Sequence, residues 1–408
     1  MIARGRPVLM IVHAYYEEDP RVRRQAETLV AAGRPVRVIG LRRPDDPVDS
    51  ELSGVRIRHL DVQRHQGAGL GTYVREYSAF LARAMWTAVR LHRSERFGVA
   101  QVHSPPDFLV FATLPLRLVG VPVILDLHEA MPEFFRMRFP SMRNPLINWT
   151  LRLQERASIA FATRTITVTD AMRDRLVSLG HARDSVGVVI NSPALSRFDA
   201  GAYPERRFME DGSLRLVYAG ALTPTYELDV TLRAVAAVHQ RRPDLGVAVD
   251  LFGRGDSDAS LRALADELGI AERVVFHGRI PIDDVPAAIA AADIGLAPTR
   301  LDRFTALTVS GKVYEYAAMR KPVVASRLPT VERDFPGDAA RTYPSGDVDA
   351  MAAAIIDLVD DPEGRERSVA AAAKVVDGLA WDRVKADYLA LVDSLAGGSP
   401  EGRPAGAA

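Results

Sequence analysis

The chain has 408 residues, more than one hydrophobic core usually supports, which predicts two or three domains. Hydrophobic residues make up 48% and charged residues 25%, a composition typical of a folded globular protein. The sequence contains no cysteine, which excludes disulfides, thiolate metal sites and cysteine nucleophiles. We expect no signal peptide and no transmembrane helix, because every apolar run is far shorter than about 18 residues.

The net charge is zero, but the charges are unevenly distributed. Residues 1–200 contain 28 arginines, no lysine and 20 acidic residues, for a net +8, and residues 201–408 carry the opposite −8. This pattern fits two lobes that attract each other. It fits equally well a basic N-terminal half that faces an anionic acceptor or a membrane surface.

Short β-branched runs alternate with helical patterns through the first half of the chain. This alternation predicts βαβ units and a parallel sheet. The predicted strands are Val8–His13, Val36–Leu41, Val99–His103, Val121–Leu127 and Thr165–Thr169. The predicted helices are Gln25–Ala32, Tyr73–His92, Leu109–Val119, Pro145–Phe161 and Ala171–Leu179.

The same alternation returns in the second half and ends in an amphipathic helix. The predicted strands are Leu214–Ala219, Val247–Phe252, Val274–His277, Ile294–Pro298 and Val323–Ser326. The predicted helices are Leu228–Gln240, Ser260–Leu268, Pro286–Ala292, Lys312–Met319 and Trp381–Leu395.

Between the two halves, Asn191–Gly212 is rich in Pro, Gly and charge and is typical of a linker. We therefore predict an α/β protein of two doubly wound, Rossmann-like lobes, residues 1–198 and 199–380. A helix over 381–396, which could cap the second lobe but which we expect to pack back on the first, and a disordered tail over 397–408 complete the chain. Ligands of doubly wound sheets bind at the carboxyl ends of the strands, so we expect a site in a cleft between the lobes.

Three common Rossmann-type or metal sites are not supported. The first strand continues into His13–Asp19 without a glycine, and Gly253–Gly255 offers only two glycines, which argues against NAD binding. A P-loop motif is absent as well. Asp256–Asp258 and Asp347–Asp349 resemble Asp-x-Asp metal sites, but such acidic pairs arise by chance in a chain with 52 acids. We predict no metal and no cofactor.

The segment Thr308–Ala325 combines a polar loop, a helix start and a second buried strand. The amides of Ser310 and Gly311 would open a helix, whose N-terminus favours anions. Lys312 would add a full charge, and Glu315, three residues later, would face the same side. A carboxylate there suits the vicinal hydroxyls of a ribose. An isolated Lys-x-x-Glu is usually a solvated ion pair, so the interpretation depends on this context.

Thr308–Ala325 resembles the donor-binding signature of family 4 retaining glycosyltransferases of the GT-B fold. It is most similar to the subgroup with a Pro-x-Lys-x-x-Glu-Tyr helix followed by Lys/Gly-Pro-Val-Val. Other segments resemble this family in the same order, over most of residues 7–396. They are Asp19–Gln25, Val102–Asp107, Leu125–Glu129, Pro132–Glu133, Thr165–Thr169, Val188–Pro193, Val274–Gly278 and Trp381–Asp382.

The resemblance implies that a nucleotide-diphosphate sugar binds mainly to the C-terminal lobe. Glu315 would hold the ribose, and Lys312 with the amides of Ser310 and Gly311 would hold the diphosphate. His128 would lie near the sugar, so the implied catalytic residues are His128, Lys312 and Glu315. The further implied donor-binding residues are Gly220, Arg254, Gly278, Arg279, Ile280 and Arg303.

The chain departs from the family at two positions. Leu307 stands where many members carry a first acid, so sugar contacts would come from elsewhere, such as Asp302 or Thr305. The loop Ala221–Tyr226 lacks the Arg and Lys of many members, so charge for the diphosphate would come from Lys312 and nearby arginines. We also expect His103, Asp107 and Glu129 in the vicinity of the sugar or the acceptor.

The implied reaction is metal-independent glycosyl transfer with retention of configuration, in a bacterial enzyme of polysaccharide biosynthesis. The acceptor stays open among a glycan, a lipid-linked molecule and a small molecule, and we expect no nucleic acid partner. Two alternatives remain, a GT-B nucleotide-sugar epimerase and a non-catalytic partner subunit. The missing bases after Gly220 give the second alternative some support.

Two basic, apolar segments suggest where the chain works. The pattern of Tyr73–Arg96 predicts a basic amphipathic helix, and Phe134–Arg156 adds apolar and basic residues. Both would suit a cytoplasmic protein that makes peripheral contact with the inner face of an anionic membrane. A core-packing helix with a solvated basic face explains the first segment equally well.

Overall fold

The computed structural model forms two compact units. One consists of Met1–Ile190 with Val384–Ala408, and the other is Asn191–Arg383. The predicted tail lies outside the described residues from residue 398 onward, as do 191–196 and 205 of the predicted linker. The structure describes residues 5–63, 65, 69–139, 144–190, 197–204, 206–379 and 381–397.

In its described residues, the first unit contains an eight-stranded sheet in the order β3-β4-β2-β1-β5-β6-β7-β8. All neighbouring strands are parallel except β3 and β4, which are antiparallel. The strands are β1 Val8–Val12, β2 Val36–Leu41, β3 Asp49–Leu52, β4 Val55–Leu60, β5 Val99–His103, β6 Val123–Leu127, β7 Arg164–Thr167 and β8 Val186–Val188.

Helices cover this sheet, which explains why β1, β5 and β6 are buried along their whole length. A long 3-10 segment, Asp107–Thr113, precedes the third α-helix. The helices are α1 Pro20–Ala31, α2 Leu70–Glu95, α3 Leu114–Leu118, α4 Met131–Arg138, α5 Pro145–Phe161 and α6 Asp170–Ser178.

Local capping fixes where two of these helices begin. Asp19 accepts hydrogen bonds from the amides of Arg21 and Val22, and Pro20 occupies the first turn of α1. Thr169 accepts from the amide of Met172 and so starts α6. The strand predicted over Thr165–Thr169 therefore ends at Thr167.

In the described residues of the second unit, a six-stranded parallel sheet has the order β11-β10-β9-β12-β13-β14. The strands are β9 Arg215–Ala219, β10 Ala248–Phe252, β11 Val274–Gly278, β12 Ile294–Ala297, β13 Val323–Ser326 and β14 Arg341–Tyr343. Its helices are α7 Leu228–Arg241, α8 Asp258–Glu267, α9 Val285–Ala290, α10 Gly311–Ala318, α11 Pro329–Asp334, α12 Val348–Asp360 and α13 Pro362–Leu379, and the helix α14 Trp381–Ala396 follows them.

Two hydrophobic clusters lie on opposite faces of this second sheet. Leu216 and Tyr218 of β9 pack in one cluster and Val217 packs in the other, as the alternation of a strand requires. From Val384 onward, α14 belongs to the first unit. There the Tyr388 hydroxyl donates to Gln101 Oε1 at 2.8 Å, and Arg34 pairs with Asp393.

The sequence missed or misread several elements. The segment Leu109–Val119 is not one helix, because it begins as the 3-10 segment and continues only briefly as α3. No strand was predicted at β3, β4, β8 or β14, and no helix at α4, α11, α12 or α13. In α13, Pro362 at the first position starts a new helix directly after α12.

Candidate functional site

In the second unit, the strand order reverses between β9 and β12. A doubly wound sheet leaves a crevice at the carboxyl ends of the strands on either side of such a reversal. Gly220 follows β9 there, and Thr299 follows β12. The segment that opens α10 comes to the same edge and brings Lys312 with it.

Tyr316 anchors α10 to the end of β9. Its hydroxyl accepts a hydrogen bond from the amide of Ala219 at 3.2 Å, and its ring is fully buried. Gly295 of β12 makes room for that ring, since a Cβ there would lie 2.3 Å from it. The start of α10 is therefore fixed against the strand that precedes Gly220.

Lys312 lies directly beside Gly220. A Cβ at residue 220 would be 2.4 Å from the lysine Cε and 2.8 Å from Nζ. The ammonium also lies over two aromatic rings, 3.9 Å from the centroid of Tyr226 and 5.0 Å from that of Tyr218. Such cation–π contacts help to stabilise the charge of Lys312, a residue that is only 9% exposed.

The start of α10 offers further groups to an anion. Ser310 is the N-cap residue but makes no capping bond, and its buried hydroxyl has no hydrogen-bond partner among the residues that the structure describes. The first amides of a helix point outward with a positive dipole end. Glu315, half-buried one turn along, places Oε1 3.8 Å from the Cβ position of Gly311.

The loops after β9, β10 and β11 interlock at this edge. The amide of Gly253 donates to the carbonyl of Gly278 at 2.7 Å, and that of Gly220 donates to Phe252 O at 2.8 Å. Gly253 has φ of 150°, and a Cβ there would meet the Gly220 carbonyl. Arg254 and Arg279 are exposed, and Ile280 is half-buried. These loops bring Arg254 and Gly278 to within ordinary contact of one another.

Asp302 and Thr305 hold together the loop before α10. Asp302 Oδ1 accepts from the amides of Phe304 and Thr305, each at 2.8 Å. The Thr305 hydroxyl donates to the carbonyl of Arg300 at 2.6 Å, and Thr305 is buried. Both side chains are therefore engaged inside the loop, while Arg303 is exposed.

In the first unit, His103, Asp126 and His128 form a buried cluster at the carboxyl ends of β5 and β6. Asp126 Oδ2 lies 3.1 Å from His103 Nδ1 and 3.3 Å from His128 Nε2, and the two nitrogens are 3.2 Å apart. Among the described residues, this is the set of side chains whose atoms lie close enough together to share one metal ion. Hydrogen bonds to Asp126 Oδ2 from Gln25 at 2.9 Å and Gln101 at 3.3 Å already hold it.

Charge and burial set the protonation of this cluster. Burial would raise the pKa of Asp126, but the imidazoles of His128 and His103 hold it well below its usual range. Burial lowers the pKa of His128, against the Asp126 carboxylate, which raises it. These shifts favour the anion of Asp126 and the neutral form of His128.

Asp107 and Glu129 lie near this cluster. Asp107 opens the 3-10 segment after β5 and is fully buried, and burial followed by the charge of Glu155 raises its pKa well above the usual value. Glu129 follows His128 and is half-buried, and its charge also acts on Asp107. The structure therefore brings His103, Asp107, His128 and Glu129 to one edge of the first sheet.

Two protein-family models match the chain in succession. The model described as "Glycosyl transferase 4-like domain" matches residues 19–192, and "Glycosyl transferases group 1" matches residues 213–361. The chain is a glycosyltransferase of the GT-B fold. The first matched region contains every strand of the first sheet except β1, and the second contains all six strands of the second sheet.

Individual relatives of the glycosyltransferase agree with this membership. It is 34% identical over 187 residues to the GDP-mannose-dependent α-(1-6)-phosphatidylinositol monomannoside mannosyltransferase of Mycolicibacterium smegmatis, a match that covers 45% of this chain and only 47% of that protein. It is 24% identical to the α-D-kanosaminyltransferase of Streptomyces kanamyceticus over 85% of this chain and 91% of that one.

A solved structure shows the same fold. Sucrose-phosphate synthase from Thermosynechococcus elongatus superposes with a TM-score of 0.77 over 97% of this chain and 100% of that one, at 17% identity. Among its described residues, the glycosyltransferase has no helix with both the length and the apolar character that crossing a membrane requires.

The acidic pairs of the glycosyltransferase take part in local structure. Asp347 caps α12 by accepting from the amide of Ala350 at 2.9 Å. Asp258 lies in the first turn of α8 and pairs with Arg262 at 2.7 Å. Neither pair belongs to a metal-sized cluster among the described residues.

Sequence reasoning about the glycosyltransferase did not single out the residues that hold Lys312. Tyr218 lies in the strand β9, and Tyr226 ends the loop Ala221–Tyr226, which lacks the Arg and Lys of many family members. Aromatic residues near the end of β9 could have been proposed as partners of Lys312. The sequence alone does not show which rings contact the lysine in the folded chain. The cluster around His128 was expected in part, because Asp126 and Gln25 each lie in a segment that resembles the family, whereas Gln101 carried no signal.

Proposed function

We propose that this glycosyltransferase moves a glycosyl residue from a nucleotide-diphosphate sugar to an acceptor hydroxyl, with retention of configuration and without a metal. The second unit would bind the donor and the first unit the acceptor. The observation that carries the proposal is the position of Lys312 beside Gly220, at the start of α10 and at the reversal of the second sheet.

The diphosphate is the group that this site suits best. As the donor's glycosidic bond breaks, negative charge grows on the leaving phosphate, and fixed positive groups there stabilise the transition state. Lys312 would supply a full charge, and the amides of Ser310 and Gly311 the helix dipole. The buried Ser310 hydroxyl, which has no partner among the described residues, would donate a further hydrogen bond.

The rest of the donor fits the neighbouring loops. Glu315 would accept hydrogen bonds from the ribose hydroxyls. The segment of Gly278, Arg279 and Ile280 would meet the base, and the exposed Arg254 and Arg303 would close on the phosphates. The engaged side chains of Asp302 and Thr305 would shape the loop near the sugar.

Retention without a covalent intermediate is the proposed course of the reaction. The bond from the anomeric carbon to the diphosphate oxygen breaks, and the acceptor oxygen bonds to that carbon on the same face. The acceptor proton passes to the leaving phosphate oxygen. His128, held by Asp126, would position the sugar. A glycosyl-enzyme adduct detected by mass spectrometry during turnover would contradict this course.

A thermal-shift screen of UDP-, GDP- and dTDP-sugars tests the donor site. A ligand that binds only the folded protein stabilises it and so raises the melting temperature. At a ligand concentration of a hundred times Kd, the free energy of unfolding rises by about 2.7 kcal/mol. We expect one nucleotide class to raise the midpoint and EDTA to leave that shift unchanged. If no nucleotide sugar shifts the midpoint, the assignment of the donor site is wrong.

A further inference from the structure

Five aromatic rings form a continuous row on the first unit, which we call the aromatic track. Tyr73 and Tyr77 of α2 stack at 5.9 Å, and Tyr77 meets Phe108 edge-on at 6.3 Å. Tyr73 also meets Phe139 at 6.1 Å, and Phe139 packs on Phe135 at 4.9 Å. All but Phe135 are half-buried. Residues from three separate elements thus share one partly open aromatic surface.

The aromatic track has polar neighbours at Tyr77, the ring next to its Phe108 end. The ring of His13 meets Tyr77 edge-on at 4.7 Å. His13 Nε2 lies 3.1 Å from the buried carboxylate of Glu76, whose other oxygen accepts from the amide of His65 at 2.8 Å. His13 directly follows β1, and its neighbour Val12 pairs with His103 of β5. The track therefore begins at the sheet edge that carries His103 and His128.

The other end of the aromatic track leads to an exposed apolar stripe. Phe139 follows the end of α4, and α5, which contacts α4, begins at Pro145. On α5, Leu146, Trp149 and Leu153 are 64%, 58% and 51% exposed. Their spacing of three and four residues puts them on one side of the helix. Single exposed apolar residues are ordinary, but a helical stripe of them marks an interaction surface.

The charges around the α5 stripe are all basic in the described part of the helix. Arg152 and Arg156 are exposed beside it. The acid of α5, Glu155, is buried and pairs with Arg175 at 2.8 Å. A Leu-Trp-Leu stripe bordered by arginines matches a helix lying in the interface of an anionic bilayer. A water-facing protein partner would instead call for a mixed polar rim.

We propose that the first unit binds a lipid-linked acceptor, with its hydroxylated head at Tyr77 beside the buried His13, its apolar chain along the aromatic track, and the α5 stripe seated on an anionic membrane. Aromatic faces suit both the C–H edges of a sugar and an apolar chain. The proposal rests on the proposed function, because it names the acceptor class of that transferase. It requires no residue of the donor site.

Vesicle flotation tests the membrane contact. We expect the full chain to float with equimolar phosphatidylglycerol and phosphatidylcholine vesicles and not with phosphatidylcholine alone. The double variant Trp149→Glu, Leu153→Glu should bind at least about tenfold more weakly, since each buried apolar side chain contributes. Val48→Glu, a similar change at a residue 45% exposed near β3, should bind like the wild type. Equal flotation of the double variant and the wild type would overturn the membrane contact.

Binding of an amphiphile below its micelle concentration tests the aromatic track. We expect n-octyl β-D-glucoside to bind measurably by calorimetry, and methyl β-D-glucoside to bind at least about tenfold more weakly. Tyr73→Ala and Phe139→Ala should each weaken octyl glucoside binding by about tenfold. Trp86→Ala, which changes an aromatic residue on the opposite side of α2, should not. Unchanged binding in both track variants would overturn the proposal.

A separate readout distinguishes this proposal from the proposed function. The melting shift with a nucleotide sugar is measured on the same variants, and we expect it to match the wild type, because the track lies in the first unit. A missing shift in the wild type counts against the donor site alone. Both substitutions remove half-buried side chains. If one variant fails to fold, octyl glucoside binding by the other decides the question.

Discussion

Gly220 leaves the space in which the ammonium group of Lys312 lies. A methyl group at residue 220 would come within 2.4 Å of the lysine Cε and 2.9 Å of the Tyr218 hydroxyl. A contact that short requires the lysine to move, because real Cβ atoms do not approach other heavy atoms so closely. The loop after β9 therefore contributes to the proposed phosphate site by lacking a side chain.

Gly220→Ala should weaken nucleotide-sugar binding by displacing Lys312. We expect Kd to rise about tenfold to a hundredfold, equivalent to about 1.4 to 2.7 kcal/mol, by calorimetry with the donor found in the screen. The double variant with Lys312→Ala supplies the control. There the added methyl group should cost less than it does beside Lys312, because its closest contact is gone and the Tyr218 hydroxyl at 2.9 Å is the contact that remains. Additive losses would show that Gly220 acts independently of Lys312.

Lys312→Ala should lower donor affinity by a similar factor without unfolding the protein. A charge-assisted contact to phosphate contributes about 1.5 to 3 kcal/mol. Lys374→Ala, at an exposed position on α13, is the matched control among the four lysines of the chain. Calorimetry on both variants decides the question. Equal donor affinity in Lys312→Ala and wild type would contradict the phosphate assignment.

Asp126→Asn should slow turnover while leaving donor binding intact. The carboxylate raises the pKa of His128 and fixes both imidazoles, so its loss lowers that pKa further and loosens the histidine. We expect kcat to fall by about tenfold to a hundredfold, the cost typical of a misplaced positioning group, with the donor Kd unchanged. Asp170→Asn, a change in the same unit at a side chain that is 49% exposed, should keep full activity. A loss confined to donor affinity would refute this role for Asp126.

Asp107→Asn should stabilise the protein, and the gain should grow with pH. Burial raises the pKa of Asp107 well above 3.8, so the folded state holds a proton that the unfolded chain releases. The contribution of Asp107 to the free energy of unfolding is complete below about pH 4. It falls by about 1.4 kcal/mol per pH unit as the pH rises toward the folded pKa. Melting temperatures of variant and wild type from pH 5 to 8 measure the difference. A difference independent of pH would contradict the raised pKa.

The alternation of strands and helices made the fold predictable, because apolar periodicity is set locally. Lys312 and Glu315 could be placed at the start of a helix for the same reason. The strands β3 and β4 were overlooked although Val55, Ile57 and His59 alternate inward, because charged residues interrupt the apolar run. Pattern reading therefore succeeds for strands with an unbroken apolar run and fails where charged residues alternate with the buried ones.

The side-chain partners of the candidate site were less predictable, because they come from distant parts of the chain. The residues Tyr218 and Tyr226 meet Lys312 only after the second sheet has formed. The hydrogen bonds that occupy Asp302 and Thr305 depend on the conformation of one irregular loop. Spacing alone indicated a polar loop there but not which of its groups are already satisfied.

The hydrogen bond from Tyr388 to Gln101 has a consequence for the order of folding. Gln101 also donates to Asp126 Oδ2, so the buried polar cluster of the first unit is completed by a helix near the other end of the chain. During synthesis, the first sheet leaves the ribosome with this cluster unfinished, because domains fold as their residues emerge. A fragment that stops at the end of the first matched region would therefore expose Gln101 and the groups it orders. A fragment for isolated study of this unit needs α14 joined back to it.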